Sequence, residues 1–411
     1  MLAGGRAERY PPGHRVGPRR VGDAPLRPCY EPSVRAEFFS DLGRIAAEDW
    51  DALVGEDDPF VEHAFLRALE ESGSVGGDSG WTPMHLTLWD DAGLAAAMPL
   101  YVKEHGFGEY IFDWAWADAS HRAGVPYYPK LVSAVPFTPA TGRRVLRRAD
   151  VSLAEVAPDL RRGLLEAASQ TRASSIHLLF LTREEADALG TDPRFMRRLS
   201  LQFHWHAAGD ASFEDYLGRM RSPARKAVRR ERRQAQELPF ELELLRGDEL
   251  GTADYAELFE LYRAGCLLKG SFPYLTEAFF ELMPERLAPR LLVARARMDG
   301  RTVAASLAFE KGAHLYGRYW GNHVDAPMLH FELCYYRLIE HAIDSGITRF
   351  EAGAQGEHKL KRGLMPASIH SLHLIRHPGL EAAIADYLPR EAAGMRARMD
   401  ELRASGPFRR D

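Results

Sequence analysis

The sequence has 411 residues, of which 45% are hydrophobic and 27% are charged, with a formal net charge of -5. Its length suffices for two hydrophobic cores of ordinary size, and the small net charge gives no general electrostatic argument for binding nucleic acid. Three widely spaced cysteines match neither a disulfide framework nor a zinc pattern, which favours a cytoplasmic location, and no apolar run reaches the ~18 residues of a membrane-spanning helix.

Residues 1–35 are rich in Gly, Pro and Arg and show no apolar periodicity. This composition predicts a disordered N-terminal tail, or a start that is not a genuine part of the native protein. The segment has no apolar signal core. A transit peptide is the alternative, and the many prolines disfavour it because they oppose an amphipathic helix.

Two stretches of the chain share one order of predicted elements. Residues 86–114 and 291–321 both read as a three-strand meander, with an Asp-containing tight turn (DDAG, MDG) and an aromatic third strand (EYIFDW, HLYGRYW). Each meander is followed by a helix and a strand, over 153–181 and 329–354. The repeat predicts an α/β (α+β) fold of two tandem domains, each a mixed β-sheet flanked by helices. Chance similarity of two common meanders is the alternative.

We place the domain boundaries from this repeat. The first domain covers residues 36–206 and the second covers 207–385, beginning with a basic helix. Residues 386–411 form a C-terminal helix and tail, with a break or kink at Pro389.

The most aromatic part of the chain, residues 108–139, is too rich in Pro and Gly for one continuous element. Long loops inside compact domains are usually functional or disordered, and the aromatic content opposes disorder. We predict an acceptor groove; an aromatic seal between domains is the alternative. The candidate substrate-binding residues of this segment are Asp113, Trp114, Tyr127, Tyr128 and Lys130.

The predicted helix SPARKAVRRERRQAQ carries six cations and the single acid Glu231. Like charges at helical spacing repel one another, and a bound anion would relieve that repulsion. Arg225 and Arg229 are the candidate anion ligands. A solvated helix face is the alternative interpretation.

The second copy adds further candidates. Arg318 and Tyr319 lie on its aromatic strand, and His330 lies at the next helix start, where free backbone N–H groups favour an anion. The H-x-H pair in QFHWH is more typical of structural histidines than of a metal site. Walker, GxSxG and paired GxGxxG motifs are absent, so we predict neither ATP-driven chemistry nor hydride transfer, no metal, and no tightly bound cofactor.

The stretch FEAGAQGEHKLKRGLMP turns from a buried strand into a cluster of charges. Acyl transfer to an amine needs a base, donors for the oxyanion, and cations for a phosphate-bearing carrier. The cluster contains each residue type, and the first copy has no equivalent run, which assigns the chemistry to the second domain. A charged loop between strands is the alternative. The predicted catalytic residues are Glu351, His358 and Lys361, with Gln355, Glu357 and Lys359 as substrate ligands.

The succession PYYPKL, AVPFTP, QFHW, RKAVRRERR, YGRYWG, LHFELCYY and EAGAQGEHKLKRG resembles the bacterial FemAB-like predicted N-acyltransferases of peptidoglycan biosynthesis/recognition, over about residues 51–409. The resemblance implies tandem GNAT-type domains and transfer of an acyl or aminoacyl group to an amine of a small-molecule, peptide or cell-wall-type acceptor. It implies acyl-CoA or aminoacyl-tRNA as the donor substrate. The family's Phe-Lys element corresponds here to Leu360-Lys361. The family's coiled-coil arm towards tRNA is not evident, which leaves the use of tRNA open.

Two other classes of function remain open from the sequence. The same aromatic groove would suit a non-catalytic binding module for a glycan, a peptidoglycan precursor or an anionic lipid. The basic helix alone would suit RNA. We predict no DNA partner and no transmembrane segment.

Overall fold

The computed structural model describes residues 34–354 and 356–409. The predicted N-terminal tail lies outside these residues except for its last two positions, and so does Gln355. The described chain forms the following strands: β1 (Arg35–Phe39), β2 (Trp81–Pro83), β3 (His85–Asp90), β4 (Gly93–Met98), β5 (Tyr101–Lys103), β6 (Lys130–Ser133), β7 (Leu146–Arg147), β8 (Ser175–Leu181), β9 (Met196–His206), β10 (Glu241–Arg246), β11 (Leu291–Met298), β12 (Arg301–Lys311), β13 (His314–Asn322), β14 (Arg349–Glu351) and β15 (Met365–Ile375).

Helices cover both faces of the strands. A single π-helical turn (Glu332–Tyr336) separates two of the helices, and a six-residue 3-10 helix (Glu357–Arg362) precedes the last strand. The α-helices are α1 (Ala47–Asp51), α2 (His63–Glu71), α3 (Trp114–Arg122), α4 (Leu153–Gln170), α5 (Arg183–Leu189), α6 (Phe213–Arg219), α7 (Ser222–Gln236), α8 (Thr252–Leu268), α9 (Glu277–Arg286), α10 (Leu329–Phe331), α11 (Arg337–Asp344) and α12 (Pro378–Ser405).

The strands form two sheets. The smaller sheet has the order β1-β3-β4-β7, and the larger has the order β10-β11-β12-β13-β14-β9-β15-β8-β6-β5-β2. Most neighbouring strands are antiparallel, whereas β13 pairs with β14 and β6 pairs with β8 in parallel. This mixed architecture with flanking helices confirms the predicted α/β (α+β) class.

The large sheet repeats its pattern outward from the central pair β9–β15. On one side β9 pairs antiparallel with β14, which is parallel to β13; on the other side β15 pairs antiparallel with β8, which is parallel to β6. The last strand of each half is therefore exchanged: β9 lies beside β14 of the second half, and β15 lies beside β8 of the first. The exchange joins the two halves through one continuous hydrogen-bonded sheet.

The internal comparison is wrong in one element. EYIFDW, predicted as the third strand of the first meander, forms no strand, and α3 begins at Trp114. The strand in the position that corresponds to β13 is β6, because it is the one parallel to β8. The first hairpin is also divided between the two sheets at Pro83 and Pro99, since proline cannot donate to a strand ladder. The meander β11-β12-β13 of the second half is formed as predicted.

Aromatic side chains from both halves share the largest hydrophobic cluster. The Phe60 and Phe309 rings lie 5.3 Å apart, and Phe65 from α2 lies 5.8 Å from Phe279 of α9, all in edge-on contacts. The boundary between residues 206 and 207 stays a prediction, because this cluster and the exchanged strands extend across it. No helix of the described chain is both long enough and apolar enough to cross a bilayer.

Two glycines let α8 approach β13 closely. A Cβ added at Gly321 would lie 1.9 Å from the carbonyl oxygen of Leu261, and one at Gly265 would lie 2.4 Å from that of Trp320. We expect Gly321→Ala to lower the free energy of unfolding by about 1–3 kcal/mol, since backbone atoms must move apart. Urea denaturation measures the effect. Gly218→Ala is the control, because nothing lies within 4 Å of that added Cβ, and an equal loss there would contradict the explanation.

Candidate active site

A cleft of about 760 Å³ opens where the parallel strands β13 and β14 diverge. The two strands pair only over three residues each, ending at Tyr316 opposite Glu351. Beyond this point residues 317–320 of β13 and residues 352–354 after β14 line opposite walls of the cleft. Ligands commonly bind beyond the carboxyl ends of parallel strands, where backbone groups lose their partners from the neighbouring strand.

A bulge in β13 directs Arg318 towards this cleft. Gly317 pairs with Ala308 and Tyr319 pairs with Leu307, so Arg318 is the extra residue. Bulges reorient side chains and are frequent near active sites. The Arg318 guanidinium donates to the carbonyl of Phe137 in the first half, while its Nε has no hydrogen-bond partner within residues 34–354 and 356–409.

Two helical segments form the side walls. The π turn places Cys334 and Tyr335 on the cleft, with His330 from α10 just before it. Helix α8 contributes Tyr262 and, at its end, Lys269. Single π turns inside helices are rare and often occur at functional sites, because the extra residue shifts the register of the exposed face.

The 3-10 helix carries His358 and Lys359 into the cleft. Lys359 is only 3% exposed, and its Nζ donates to the carbonyl oxygen of Gly353 at 2.8 Å. Nε2 of His358 lies 3.0 Å from the Tyr335 hydroxyl. A lysine has three donors, so Lys359 keeps two that lack a partner among the described residues.

Arg362 connects the 3-10 helix to α7 and to Phe331. Its Nη1 donates to the carbonyl of His358 at 2.8 Å, and its Nη2 pairs with Glu231 of α7 at 2.8 Å. The guanidinium also lies 3.3 Å from the ring centroid of Phe331. Glu231, the single acid of the basic helix, is therefore part of the framework that positions His358 and Lys359.

The cleft is cationic. Lys269, Arg318 and Lys359 line it together with His330 and His358, and no carboxylate occurs among the described lining residues. None of the three cations has an ion-pair partner in the described part of the chain, which favours an anionic ligand, above all one that bears phosphate.

Burial lowers the pKa of Lys359 and of both histidines in the cleft. Burial lowers the pKa of Lys359 to about 8, with a contribution from Lys269. Burial and the neighbouring His358 lower the pKa of His330 to about 4. The pKa of His358 is lowered by burial, then by Arg362 and Lys359. Both imidazoles are therefore neutral at pH 7 and able to accept a proton.

Exposed aromatic residues surround the cleft mouth. Phe107, Phe112 and Trp114 line it from the first half, and Trp114 is 55% exposed. Phe272 of the second half contacts Phe107, with ring centroids 5.8 Å apart. We call these four residues the aromatic rim. Contiguous exposed apolar side chains are uncommon on soluble proteins and usually mark a binding surface.

The sequence profile of the FemAB-like family, described as peptidoglycan biosynthesis/recognition, matches residues 41–410. The chain belongs to the FemAB-like family. No functionally curated protein matches it significantly in sequence. Membership makes the chain an enzyme of the acyl- or aminoacyltransferase type.

Solved structures share this fold at low sequence identity. A crystal structure of FemX matches with a TM-score of 0.52 and 12% identity, over 83% of this chain and 98% of that chain. The C-terminal domain of a putative lysylphosphatidylglycerol synthetase from Agrobacterium fabrum has a TM-score of 0.50 and 10% identity, over 83% and 95% of the two chains. A tandem GNAT protein from the clavulanic acid biosynthesis pathway has a TM-score of 0.44 and 8% identity, over 84% and 99%. The match to FemX over nearly its whole length and the repeated strand pattern of the large sheet confirm the predicted α/β fold of two similar halves in tandem.

The cleft brings together part of the predicted site. The predicted residues that line it are Trp114, Arg318, Tyr319, His330, His358 and Lys359. Tyr128 does not line the cleft, but it lies next to Gly106, which lines it. A Cβ added at Gly106 would lie 3.0 Å from the Tyr128 hydroxyl. Gln355 lies outside the described residues.

Two predicted catalytic residues lie away from the cleft. Glu351 is buried on β14, where it accepts from the Thr141 amide at 3.0 Å and pairs with Arg349 at 3.2 Å. Its side chain points to the opposite face because side chains alternate along a strand. Lys361 is exposed on the outside of the 3-10 helix, and Glu357 pairs with Arg398 of α12 at 2.7 Å.

The basic helix α7 does not line the cleft either. Arg229 pairs with Glu214, and Arg232 pairs with Glu332 and Glu340. Arg225 has no ion-pair partner within the described ranges. Its assignment as an anion ligand stays a prediction.

Three residues predicted for the acceptor groove form a buried polar cluster instead. Lys130 donates to Asp113 at 2.5 Å and to Glu109 at 2.8 Å, and the Tyr127 hydroxyl donates to Asp113 at 2.6 Å. Each is at most 5% exposed. The two carboxylates outweigh the effect of burial and raise the pKa of Lys130, whereas burial raises the pKa of Glu109 to about 7. The arrangement is that of a structural ion cluster.

Sequence reasoning missed several residues of the cleft. Tyr262, Cys266 and Lys269 lie at the end of α8, and Tyr335 lies in the π turn. The run CLLKGSF at the end of α8, with exposed apolar residues around a lysine, was one available signal. The π turn had none, because its apolar spacing reads as an ordinary helix.

Proposed function

We propose that this FemAB-like enzyme transfers an acyl or aminoacyl group from a phosphate-bearing donor to an amine within the cleft between β13 and β14. The observation that carries the proposal is the combination of three cations and two neutral imidazoles in a cleft whose described lining contains no carboxylate. Cations favour the phosphates of the donor, and a neutral imidazole can take the proton that an attacking amine must lose.

The proposed reaction assigns one role to each group. The amine nitrogen attacks the acyl carbonyl, a new C–N bond forms, and the bond to the carrier breaks. His358 accepts the amine proton, oriented by its contact with Tyr335. The Lys359 ammonium donates to the developing oxyanion. Arg318 and Lys269 bind the carrier's phosphates, and the departing carrier oxygen or sulfur takes up a proton.

The charge of the cleft indicates the class of donor, and the aromatic rim indicates the class of acceptor. Acyl-CoA and aminoacyl-tRNA both present phosphates beside an activated acyl group, so both fit a cationic cleft. The aromatic rim suits an acceptor with an apolar or glycan part, such as a cell-wall precursor. A cytoplasmic location stays a prediction.

The test is mass spectrometry of reaction mixtures that contain acetyl-CoA or aminoacyl-tRNA with a muropeptide precursor. A new amide in the acceptor supports the proposal. Absence of any amide with both donors, together with binding of the precursor, contradicts it.

The pH dependence of the rate is a second expected result. His358 acts as a base above its lowered pKa, so activity is lost as the pH falls and only at a pH below the range in which an ordinary histidine titrates. Lys359 is charged below its pKa of about 8, so activity falls as the pH rises through that value. In Lys359→Arg the charge persists at high pH, and the alkaline limb is expected to move upward. An unchanged alkaline limb in that variant would remove Lys359 from the mechanism.

The exposed aromatic rim also indicates how this enzyme holds its acceptor. A thermal-shift series with acetyl-CoA, aminoacyl-tRNA and a muropeptide shows which of these ligands bind. Stabilisation by a donor as well as by the muropeptide supports the proposed reaction. Stabilisation by the muropeptide alone contradicts the assignment of the cationic cleft to the donor.

A further inference from the structure

A second cavity of about 690 Å³ lies between α12 and the exchanged strands β9 and β15. It shares no lining residue with the cleft described above. Its walls come from β9, β15, α12 and α5. The lining residues are Arg183, Met196, Arg197, Leu199, Ser368, His370, Ala385, Leu388, Pro389, Ala392, Arg396, Met399, Asp400 and Arg403.

One wall of the cavity is formed by α12. Its buried residues Leu388 and Met399 line the cavity. Pro389 lies inside the helix, where it cannot donate to the Ala385 carbonyl. Both Pro389 and Ala385 line the cavity as well, so the helix turn that lacks this hydrogen bond lies at the cavity.

The cavity is strongly cationic. Four arginines line it against a single acid, Asp400, which pairs with Arg403 at 3.1 Å. Arg197 pairs with Asp187 at 2.6 Å. Arg183 and Arg396 have no ion-pair partner in the part of the chain that the structure describes. Guanidinium groups are the side chains best suited to bind phosphate oxygens, since they donate in a planar pair.

His370 supplies an independent sign of a missing partner. This residue is 8% exposed and lines the cavity, and its Nδ1 has no hydrogen-bond partner among the residues that the structure describes. A buried polar atom without a partner costs free energy and is rare in native proteins. The His370 ring therefore has an unmet hydrogen bond at the wall of the cavity.

The remaining lining is apolar. Met196, Leu199, Leu388 and Met399 contribute side chains without charge. A bare inorganic anion would leave this surface uncovered, whereas an organic anion would bury it.

We propose that this cavity binds an organic phosphate, with the phosphate held by Arg183, Arg396 and His370 and the organic part against the apolar side chains. Nucleotides and lipid phosphates share this chemistry. The site is separate from acyl transfer and does not depend on it.

Isothermal titration calorimetry with three probes tests the proposal: adenosine monophosphate, dihexanoyl phosphatidic acid and inorganic phosphate. We expect one of the two organic probes to bind at one site with a Kd below about 1 mM, more tightly than inorganic phosphate. Binding of adenosine monophosphate alone identifies a nucleotide site, and binding of the lipid probe alone identifies a lipid-phosphate site.

Arg183→Gln combined with Arg396→Gln is expected to weaken binding by about 10- to 100-fold, since two charge-assisted contacts are lost. Both side chains are exposed at the cavity edge, so the variant should fold. Arg194→Gln with Arg390→Gln is the matched control: it removes the same charge from surface pairs that do not line the cavity. No binding by either organic probe overturns the proposal. Binding of inorganic phosphate as tightly as the organic probe would also overturn it. An equal loss of affinity in the control variant would overturn it as well.

Discussion

Replacement of Lys359 by methionine is expected to reduce kcat/KM for acyl transfer by about 10²–10³-fold, the usual cost of removing one preorganised donor to an oxyanion. Lys359 is buried in the cleft and uses a single donor on the carbonyl of Gly353. Methionine has a similar length without the charge. Because a buried ammonium is costly to desolvate, thermal stability should be unchanged or higher. Steady-state kinetics and thermal unfolding measure the two effects.

Lys361→Met is the matched control for this variant. Lys361 lies two residues away on the same 3-10 helix, but it is exposed and does not line the cleft. We expect kcat/KM to remain at the wild-type value. An equal loss in both variants would mean that general charge near the cleft matters, and not the position of Lys359.

Replacement of Lys130 by methionine is expected to lower the free energy of unfolding by about 3–5 kcal/mol. Lys130 is fully buried and is the shared ammonium partner of Asp113 and Glu109. Its removal leaves two buried carboxylates without that partner. Urea denaturation at neutral pH measures the loss.

A triple variant tests the cause of that loss. Glu109→Gln, Asp113→Asn and Lys130→Met together remove every charge of the cluster, and replacing a whole buried ion cluster is often close to neutral. We expect the triple variant to recover part of the lost stability. A single Lys130→Met variant that loses less than about 1 kcal/mol would show that the cluster is not a structural element of the first half.

The order of elements in the second half was predictable because its signals are local. Strands β11 and β12 are short, nearly continuous apolar runs bounded by an Asp-Gly turn and a Gly turn, and α8 carries apolar residues at helical spacing. The first half was harder. Pro99 divides its hairpin between two sheets, and the aromatic insert that follows β5 contributes a helix instead of the expected strand.

The strand exchange was beyond sequence reasoning. β9 follows β8 in the chain, yet it pairs with β14 and β15 of the second half. Pairing of this kind depends on contacts between residues more than a hundred positions apart, which no local pattern specifies. The exchange also creates the surface beneath α12.

The residues of the charged stretch were predicted to act as one group, and the structure places them on different faces. In a 3-10 helix, positions three apart share a face. Lys359 and Arg362 therefore point inward and are buried, whereas Lys361 points outward. Glu351 was assigned to the site from its place on the strand, but alternation turns its side chain towards Thr141. A stretch interpreted as a loop offers no periodicity from which to make these distinctions.

The account rests on the claim that acyl transfer takes place in the cleft between β13 and β14, and amide formation by a cleft variant tests it most directly. Acetyl-CoA and aminoacyl-tRNA would each be given with a muropeptide to the wild type and to His358→Gln combined with Lys359→Met, with amide products measured by mass spectrometry. We predict an amide from the wild type with one donor and none above background from the double variant. Amide formation by the double variant at the wild-type rate would contradict the account.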